Sequence, residues 1–169
     1  MTNLKNRLIY VMGVSGSGKT TIGQLLGQEL GLPFYDGDDF HPPQNIQKMK
    51  SGQALQDEDR HDWLVNIHTF AQSLLQDQGG IIACSALKEK YRKLLSQNIA
   101  AQCFWVFLEG DFKVIQERMQ KREGHFMPTK LLESQFEALE KPSPAIYIDI
   151  QNTPETIIQL ILKELNDVR

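Results

Sequence analysis

The run Gly13–Thr20, GVSGSGKT, matches the phosphate-binding pattern G-x-x-x-x-G-K-[ST] at every fixed position. Glycine-rich backbone can turn successive N–H groups toward one concavity, and a helix that begins there adds its positive dipole end. Lys19 would reach the β- and γ-phosphates of a nucleoside triphosphate, and the Thr20 hydroxyl would ligate Mg²⁺. The predicted nucleotide-binding residues are Gly13, Val14, Ser15, Gly16, Ser17, Gly18, Lys19, Thr20 and Thr21.

A second polar cluster, DGDDFH at 36–41, carries three aspartates and a histidine. Taken alone, such a cluster could be a metal site, a solvated turn that caps a helix, or a cradle for a polar substrate. Beside a phosphate loop, Asp38 could hold an acceptor hydroxyl and take its proton, while Asp36 could hold Mg²⁺ through water. Asp39 is better explained as a solvated turn residue. The two clusters together favour a substrate cradle.

Further polar side chains could complete a pocket for an acidic substrate, because Lys and Arg bind carboxylates through charge-assisted hydrogen bonds. Each of them alone is more often a surface charge, and only their convergence would make a site. The candidates that follow the second and third predicted strands are His41, Lys48, Arg60, Ser85, Lys88 and Arg92.

Two arginines, Arg118 and Arg122, lie where a predicted helix runs into the segment KREGHFMPT at 121–129. This segment is polar and broken by Gly and Pro, which predicts an exposed, mobile loop. Arginines on a closing lid can neutralise charge on a transferring phosphoryl group and help to exclude water. Two solvated charges on an amphipathic helix explain the pair equally well. On the first interpretation, the catalytic residues are Lys19, Asp38 and Arg122.

The elements that must position these residues alternate between strands and helices. Short apolar runs predict strands at 8–12, 33–36, 80–85, 103–108 and 145–150. Helical spacing predicts helices at 20–30, within 41–78 (with loops), at 88–99, after the N-cap Asp111, at 131–139 and at 155–165. This alternation predicts an α/β fold with a parallel sheet covered on both faces. Loops at the carboxyl ends of its strands share one crevice, so the two polar clusters should meet there.

Bulk properties narrow the class of protein. At 169 residues the chain suits one domain, 1–169, with a substrate-binding insert at about 40–78 and a lid at about 121–130. A net charge of −3 argues against nucleic acid as the main partner. Cys84 and Cys103 lie in apolar runs and are expected to be reduced thiols. The short apolar stretch near the N-terminus predicts a strand and no membrane span or signal peptide, which makes a cytoplasmic enzyme the expectation.

Four segments, in order over about 8–149, are similar to the gluconokinase family of small P-loop kinases. They are GVSGSGKT, the run D-G-D-x-x-H-x-x-x-N-x-x-K-M, the segment CSALK and the lid pattern K-x-x-G-H-F. The resemblance implies ATP- and Mg²⁺-dependent phosphorylation of D-gluconate at its 6-hydroxyl. It also implies a P-loop fold like that of nucleoside monophosphate and shikimate kinases, with a five-stranded parallel sheet in the order 2-3-1-4-5, a lid and usually a homodimer.

By the same resemblance, specific residues receive roles. Arg118 and Arg122 would serve the nucleotide from the lid side, and residues near 152–154 would touch adenine. The chain departs from the family pattern at Thr20, where relatives often have Ser, and at Ala54 and Asp62, where prolines are common. The residues that would face gluconate are Asp38, His41, Lys48, Arg60, Ser85, Lys88 and Gln135.

Two alternatives stay open from the sequence. A shikimate or nucleoside monophosphate kinase shares the size and the acids after the second strand. A shikimate kinase would be expected to have a glycine run after the third strand, where this chain has CSALKEK. A nucleoside monophosphate kinase would be expected to have stacking aromatics near the acids, and Phe40 is the one aromatic candidate there. The alternative from another class is a nucleotide-binding module without turnover. Such a module would not need Lys19, Asp38 and the lid arginines. All of them are present here, which favours an enzyme.

Overall fold

The computed structural model describes residues 3–122 and 128–168. Its centre is one parallel sheet of five strands in the order β2-β3-β1-β4-β5. The predicted α/β fold and the strand order implied by the resemblance are both confirmed. The strands are β1 (Arg7–Met12), β2 (Phe34–Asp36), β3 (Gly79–Ala83), β4 (Cys103–Glu109) and β5 (Ile146–Asp149).

Helices follow the strands and cover both faces of the sheet. Short 3-10 turns occupy Gly37–Phe40 and Ala100–Gln102. Within the described part of the chain, no helix is long and apolar enough to cross a membrane. The helices are α1 (Lys19–Leu30), α2 (Pro43–Lys50), α3 (Asp57–Asp77), α4 (Glu89–Leu95), α5 (Phe112–Gln120), α6 (Thr129–Ala138) and α7 (Pro154–Asp167).

Strand β1 shows how the sequence divides the core into two layers. Its residues are buried on both sides, as expected of a central parallel strand, and successive side chains point to opposite faces. Ile9 and Val11 pack with α1, α5, α6 and α7, whereas Tyr10 and Met12 pack with α3 and α4. The sheet is therefore enclosed between two helical layers.

The strand register brings the predicted functional segments to one edge. Val11 on β1 lies opposite Ala83 on β3, and Ala83 lies opposite Asp36 on β2. The loops that leave β1, β2 and β3 thus start at the same level of the sheet. The carboxyl-end crevice is formed by these three loops.

Helix boundaries follow local signals. Asp111 caps α5, because its carboxylate accepts the Val114 N–H at 3.1 Å, as predicted. Gly31 ends α1 in the left-handed conformation with φ 65°, also as predicted. The segment 41–78 divides into α2 and α3 because Gln56 and Asp59 form a reciprocal capping box that starts a new helix. Helix α4 ends before the predicted 99, at Leu95.

Cys84 is buried, Cys103 is half-buried, and both thiols are free, which confirms the prediction of reduced cysteines. Burial raises the pKa of each thiol to about 12, so neither is a ready nucleophile. Of the predicted lid at 121–130, residues 123–127 lie outside the described residues.

Candidate active site

The phosphate loop lies between β1 and α1, where the sequence predicts it. Gly16 and Gly18 have φ of 79° and 97°, a backbone region that other residues rarely adopt. The Lys19 ammonium folds back across the loop and donates to the Val14 carbonyl oxygen at 3.0 Å. Desolvation lowers the pKa of Lys19, and the charge of Asp38 opposes this shift first among its neighbours. A cation and the N-terminus of α1 therefore converge on one concavity.

Thr20 and Asp36, the two predicted metal ligands, are in direct contact. The Thr20 hydroxyl donates to Asp36 Oδ2 at 3.1 Å, and Asp36 Oδ1 accepts the Asp38 N–H at 2.9 Å. A hydroxyl and a carboxylate are hard oxygen donors, the type that Mg²⁺ prefers, and Mg²⁺ usually keeps waters and phosphate oxygens in its other positions. The donor set fits a magnesium ion that arrives with a nucleotide.

Asp38 follows in the same turn and faces an open cleft. Its side chain is 79% exposed, yet surrounding protein reduces its solvation, and this raises the pKa of Asp38 above its usual value. The neighbouring Asp36 carboxylate raises the pKa further, and Lys19 opposes the rise. A carboxylate with a raised pKa is a better proton acceptor. Asp39 is an exposed turn residue, in agreement with the interpretation from the sequence.

Three cavities open around the phosphate loop. The first, of about 340 Å³, lies between α1, α5 and the segment after β5, and we call it the nucleotide cavity. The second, of about 360 Å³, is the phosphate cleft, with Lys19, Thr20, Asp36 and Asp38 in its lining. Thr21 and Arg122 line both. The nucleotide cavity also includes Arg118, Ile150, Asn152 and Pro154.

The two arginines predicted to serve the nucleotide, Arg118 and Arg122, both line the nucleotide cavity. The Arg118 guanidinium donates to the Ile150 carbonyl oxygen, which fixes this side chain to the wall of the nucleotide cavity. Arg122 is exposed at the end of α5, between the nucleotide cavity and the phosphate cleft. Asn152 and Pro154 lie where the resemblance implies the adenine end.

The third cavity, of about 220 Å³, we call the acceptor cavity. It shares Ser15, Lys19 and Asp38 with the phosphate cleft, so the two spaces meet at the ammonium of Lys19 and the carboxylate of Asp38. Most of the residues predicted to face the substrate are brought together here. They are Asp38, His41, Arg60, Ser85 and Gln135.

Three of the predicted substrate residues are located elsewhere. The described lining of the acceptor cavity does not include Lys48, Lys88 or Arg92. The Lys48 ammonium donates to Asp59 at 2.7 Å, and the Lys88 ammonium donates to Asp57 at 3.2 Å. Both lysines thus stabilise the first turn of α3.

Arg92 is the most buried of the three, and its predicted contact with the substrate stays a prediction. It is 7% exposed, and its guanidinium donates to the carbonyl oxygens of Ala86 at 2.7 Å and Glu140 at 2.8 Å. These bonds tie the loop after β3 to the segment after α6. In this geometry the side chain fixes two backbone segments to each other.

Sequence reasoning missed the residue at the base of the acceptor cavity, Trp63. Its ring is 2% exposed and stacks on the His41 ring at 4.3 Å, and its indole N–H donates to the Gly37 carbonyl oxygen at 2.7 Å. The helical spacing of Trp63 predicts a core residue, which it also is. Only the Gly37 bond shows that the indole holds the turn with Asp38. Gln53 is a second lining residue that the pattern did not single out.

Arg60 is a second cation in the described lining of the acceptor cavity, and unlike Lys19 it does not line the phosphate cleft. Its guanidinium donates to the Leu55 carbonyl oxygen at 2.6 Å and lies 5.5 Å from the centre of the Tyr91 ring. The guanidinium carries five N–H donors, more than these contacts use, and Arg60 lines the acceptor cavity. It can therefore bind a carboxylate.

His41 is held as a neutral ring. The Asn45 amide donates to His41 Nδ1 at 3.3 Å, which leaves the ring hydrogen on Nε2, 3.9 Å from Asp38 Oδ1. Desolvation, and next the charge of Arg60, lower the pKa of His41 to about 4. At neutral pH the ring is a hydrogen-bond donor toward the cavity without a charge.

The lowered pKa of His41 predicts a contribution to acid sensitivity. As pH falls from 6.5 toward 4, the unfolded chain takes up a proton that the folded protein does not, so the free energy of unfolding decreases. We expect the wild type to lose about 2 kcal/mol more than His41→Gln between pH 7 and pH 4.5. Urea unfolding at the two pH values measures this difference.

The matched control is His61→Gln, since His61 is exposed on α3. His61→Gln should lose as much unfolding free energy between pH 7 and pH 4.5 as the wild type does. The groups that face His41 are Asp38, Arg60, Asn45 and Trp63, and they are retained in both variants. Equal losses of unfolding free energy in the wild type and in His41→Gln would contradict the lowered pKa of His41.

The fold and the phosphate loop define the class: a small P-loop kinase. The family profile described as "Shikimate kinase" matches residues 15–166. Three proteins described as gluconokinases are 39% to 45% identical to the chain over at least 90% of its length. The chain belongs to the gluconokinase family.

The relatives cover nearly the whole chain. The thermosensitive gluconokinase of Escherichia coli K12 is 45% identical over 90% of this chain and 86% of its own length. The gluconokinase of Gluconobacter oxydans is 39% identical over 95% of this chain and 92% of its own length. The crystal structure of a gluconokinase from Sinorhizobium meliloti 1021 is 39% identical, covers 96% of this chain and 93% of its own, and superposes with a TM-score of 0.89.

Proposed function

We propose that this protein transfers the γ-phosphoryl group of ATP to the 6-hydroxyl of D-gluconate, giving 6-phospho-D-gluconate and ADP. One observation carries the proposal: the phosphate cleft and the acceptor cavity meet at Lys19 and Asp38. The relatives described as gluconokinases support the choice of acceptor.

The lining of the acceptor cavity suits a small anion with several hydroxyls. The Arg60 guanidinium can bind the carboxylate of gluconate through charge-assisted hydrogen bonds. Ser85, Gln135 and the Nε2–H of neutral His41 can bind hydroxyl groups. With the carboxylate bound at Arg60, the far end of the six-carbon chain would be the part left for Asp38, which lines the same cavity.

Asp38 acts as the proton acceptor in this scheme. As the 6-oxygen bonds to the γ-phosphorus, the bond from phosphorus to the β–γ bridging oxygen breaks, and the hydroxyl proton moves to the Asp38 carboxylate. Lys19 and Arg122 stabilise the negative charge on the phosphoryl oxygens. Mg²⁺ bound beside Thr20 and Asp36 would neutralise further charge on these oxygens.

The nucleotide is proposed to lie from the nucleotide cavity to the phosphate cleft. Arg118, Asn152 and Pro154 would surround the base, and the loop Gly13–Thr20 with Thr21 would hold the phosphates. The cytoplasmic location and the homodimer stay predictions. Sedimentation of the purified protein would test the homodimer directly.

A comparison of acceptors tests the function. ADP release with saturating MgATP should increase strongly with D-gluconate and stay at the background rate with shikimate and with nucleoside monophosphates. Phosphate on the 6-oxygen of the product, assigned by NMR, completes the test. Stimulation by another acceptor without stimulation by gluconate would replace the proposed substrate, and no stimulation by any of them would favour a binding module.

A further inference from the structure

Gln135 connects α6 to the phosphate loop across 120 positions of sequence. Its side-chain Oε1 accepts the backbone N–H of Ser15 at 2.7 Å, and its Nε2 donates to the Ser15 hydroxyl at 3.1 Å. Both polar ends of the amide are thereby bound to a single residue of the loop.

The Gln135 amide oxygen takes the backbone N–H of a loop residue that lines the phosphate cleft. The backbone N–H groups of such loops are the donors that phosphate oxygens accept from. One N–H cannot make a full hydrogen bond to the Gln135 oxygen and to a phosphate oxygen at the same time. A phosphate oxygen that takes this donor would therefore have to displace the Gln135 oxygen.

Gln135 also lines the acceptor cavity, and Ser15 lines both that cavity and the phosphate cleft. An amide released from Ser15 keeps its oxygen and its N–H₂ beside the acceptor. There it can bind a hydroxyl group, because an amide both donates and accepts.

We propose that Gln135 exchanges partners during binding: it holds Ser15 when the triphosphate is absent, and it turns to the acceptor when a phosphate oxygen takes the Ser15 N–H. This inference rests on the proposed function for the identity of the acceptor. It makes Gln135 a positioning residue through which the two substrates strengthen each other's binding.

Linkage requires the effect to be reciprocal. If the nucleotide releases Gln135 for gluconate, then gluconate must raise the affinity for the nucleotide by the same factor. Binding of the acceptor to the amide removes the competitor of the phosphate. We expect each substrate to raise the affinity for the other by a factor of at least about five, which is at the lower end of measured couplings between sites.

The coupling is measured by calorimetry on the full chain, with gluconate titrated in the absence and the presence of saturating Mg²⁺ and an imido analogue of ATP. In the wild type the analogue should tighten gluconate binding at least about fivefold, and in Gln135→Ala less than about twofold. Simple loss of a substrate contact would weaken gluconate binding equally in both conditions and keep the coupling, which would overturn the proposal. Absence of coupling in the wild type would also overturn it.

A second measurement needs no gluconate. Gln135→Ala removes the competitor and should bind the ATP analogue at least as tightly as the wild type. Gln135→Glu keeps the shape, strengthens the bond to the Ser15 N–H and repels the phosphates, so it should bind the analogue at least about tenfold more weakly. Equal weakening in both variants would overturn the exchange at Ser15.

The control is Glu133→Ala, an exposed position on the same helix, which should keep wild-type coupling and nucleotide affinity. The two arms also separate the exchange from the proposed function. If gluconate does not bind the wild type, the substrate assignment fails, while the opposite effects of the Ala and Glu variants on nucleotide affinity still decide the exchange.

Discussion

Asp38→Asn should lower the turnover number at least about a hundredfold, as loss of a positioned base does, while the affinity for the ATP analogue changes little. Asn keeps the shape and the exposed position of the side chain but cannot accept the hydroxyl proton. The turn itself should persist, because Asp36 caps it through the backbone N–H of residue 38.

Steady-state kinetics and calorimetry with the ATP analogue measure the two quantities separately. Asp39→Asn is the matched control: it removes a carboxylate from the same turn at an exposed position and should keep turnover within about threefold of the wild type. Near-normal turnover in Asp38→Asn would remove Asp38 from its role as base.

Lys19→Met should lower kcat at least about a hundredfold, as loss of one electrostatic contact to the transition state does. The ammonium is the one cation that lines both the phosphate cleft and the acceptor cavity among the described residues. Met has a similar length without the charge, so the variant would remove the stabilisation of phosphoryl charge that is proposed for Lys19 and keep the bulk of the side chain.

Single-turnover measurements with saturating ATP distinguish this loss from weaker nucleotide binding. Lys163→Met removes an exposed ammonium from α7 and should leave kcat unchanged. A Lys19→Met enzyme with kcat within tenfold of the wild type would show that Lys19 does not act on the transition state.

Local signals in the sequence predict most of the fold and the centre of the site. The loop Gly13–Thr20 has a fixed spacing, and a strand before it and a helix after it determine where it must lie. Asp36 and Asp38 follow the next strand, and a parallel sheet brings both loops to one edge. Their proximity to Lys19 therefore follows from chain order alone.

The walls of the acceptor cavity depend on contacts between distant positions, which periodicity does not contain. Arg92, Lys48 and Lys88 carry the same type of charge as Arg60, but Arg92 is bound to backbone carbonyls and the two lysines to Asp57 and Asp59. Contacts with α3 and with the segment after α6 therefore determine which cationic side chain keeps N–H donors free for a substrate.

The indole of Trp63 gives the molecule an internal optical probe. Its ring lines the acceptor cavity and stacks on His41, so an occupant that expels water would change the wavelength and the yield of its emission. The other tryptophan, Trp105, stacks on Tyr10 within the sheet layer and supplies a steady background. Native fluorescence can thus follow arrival of the sugar acid without any label.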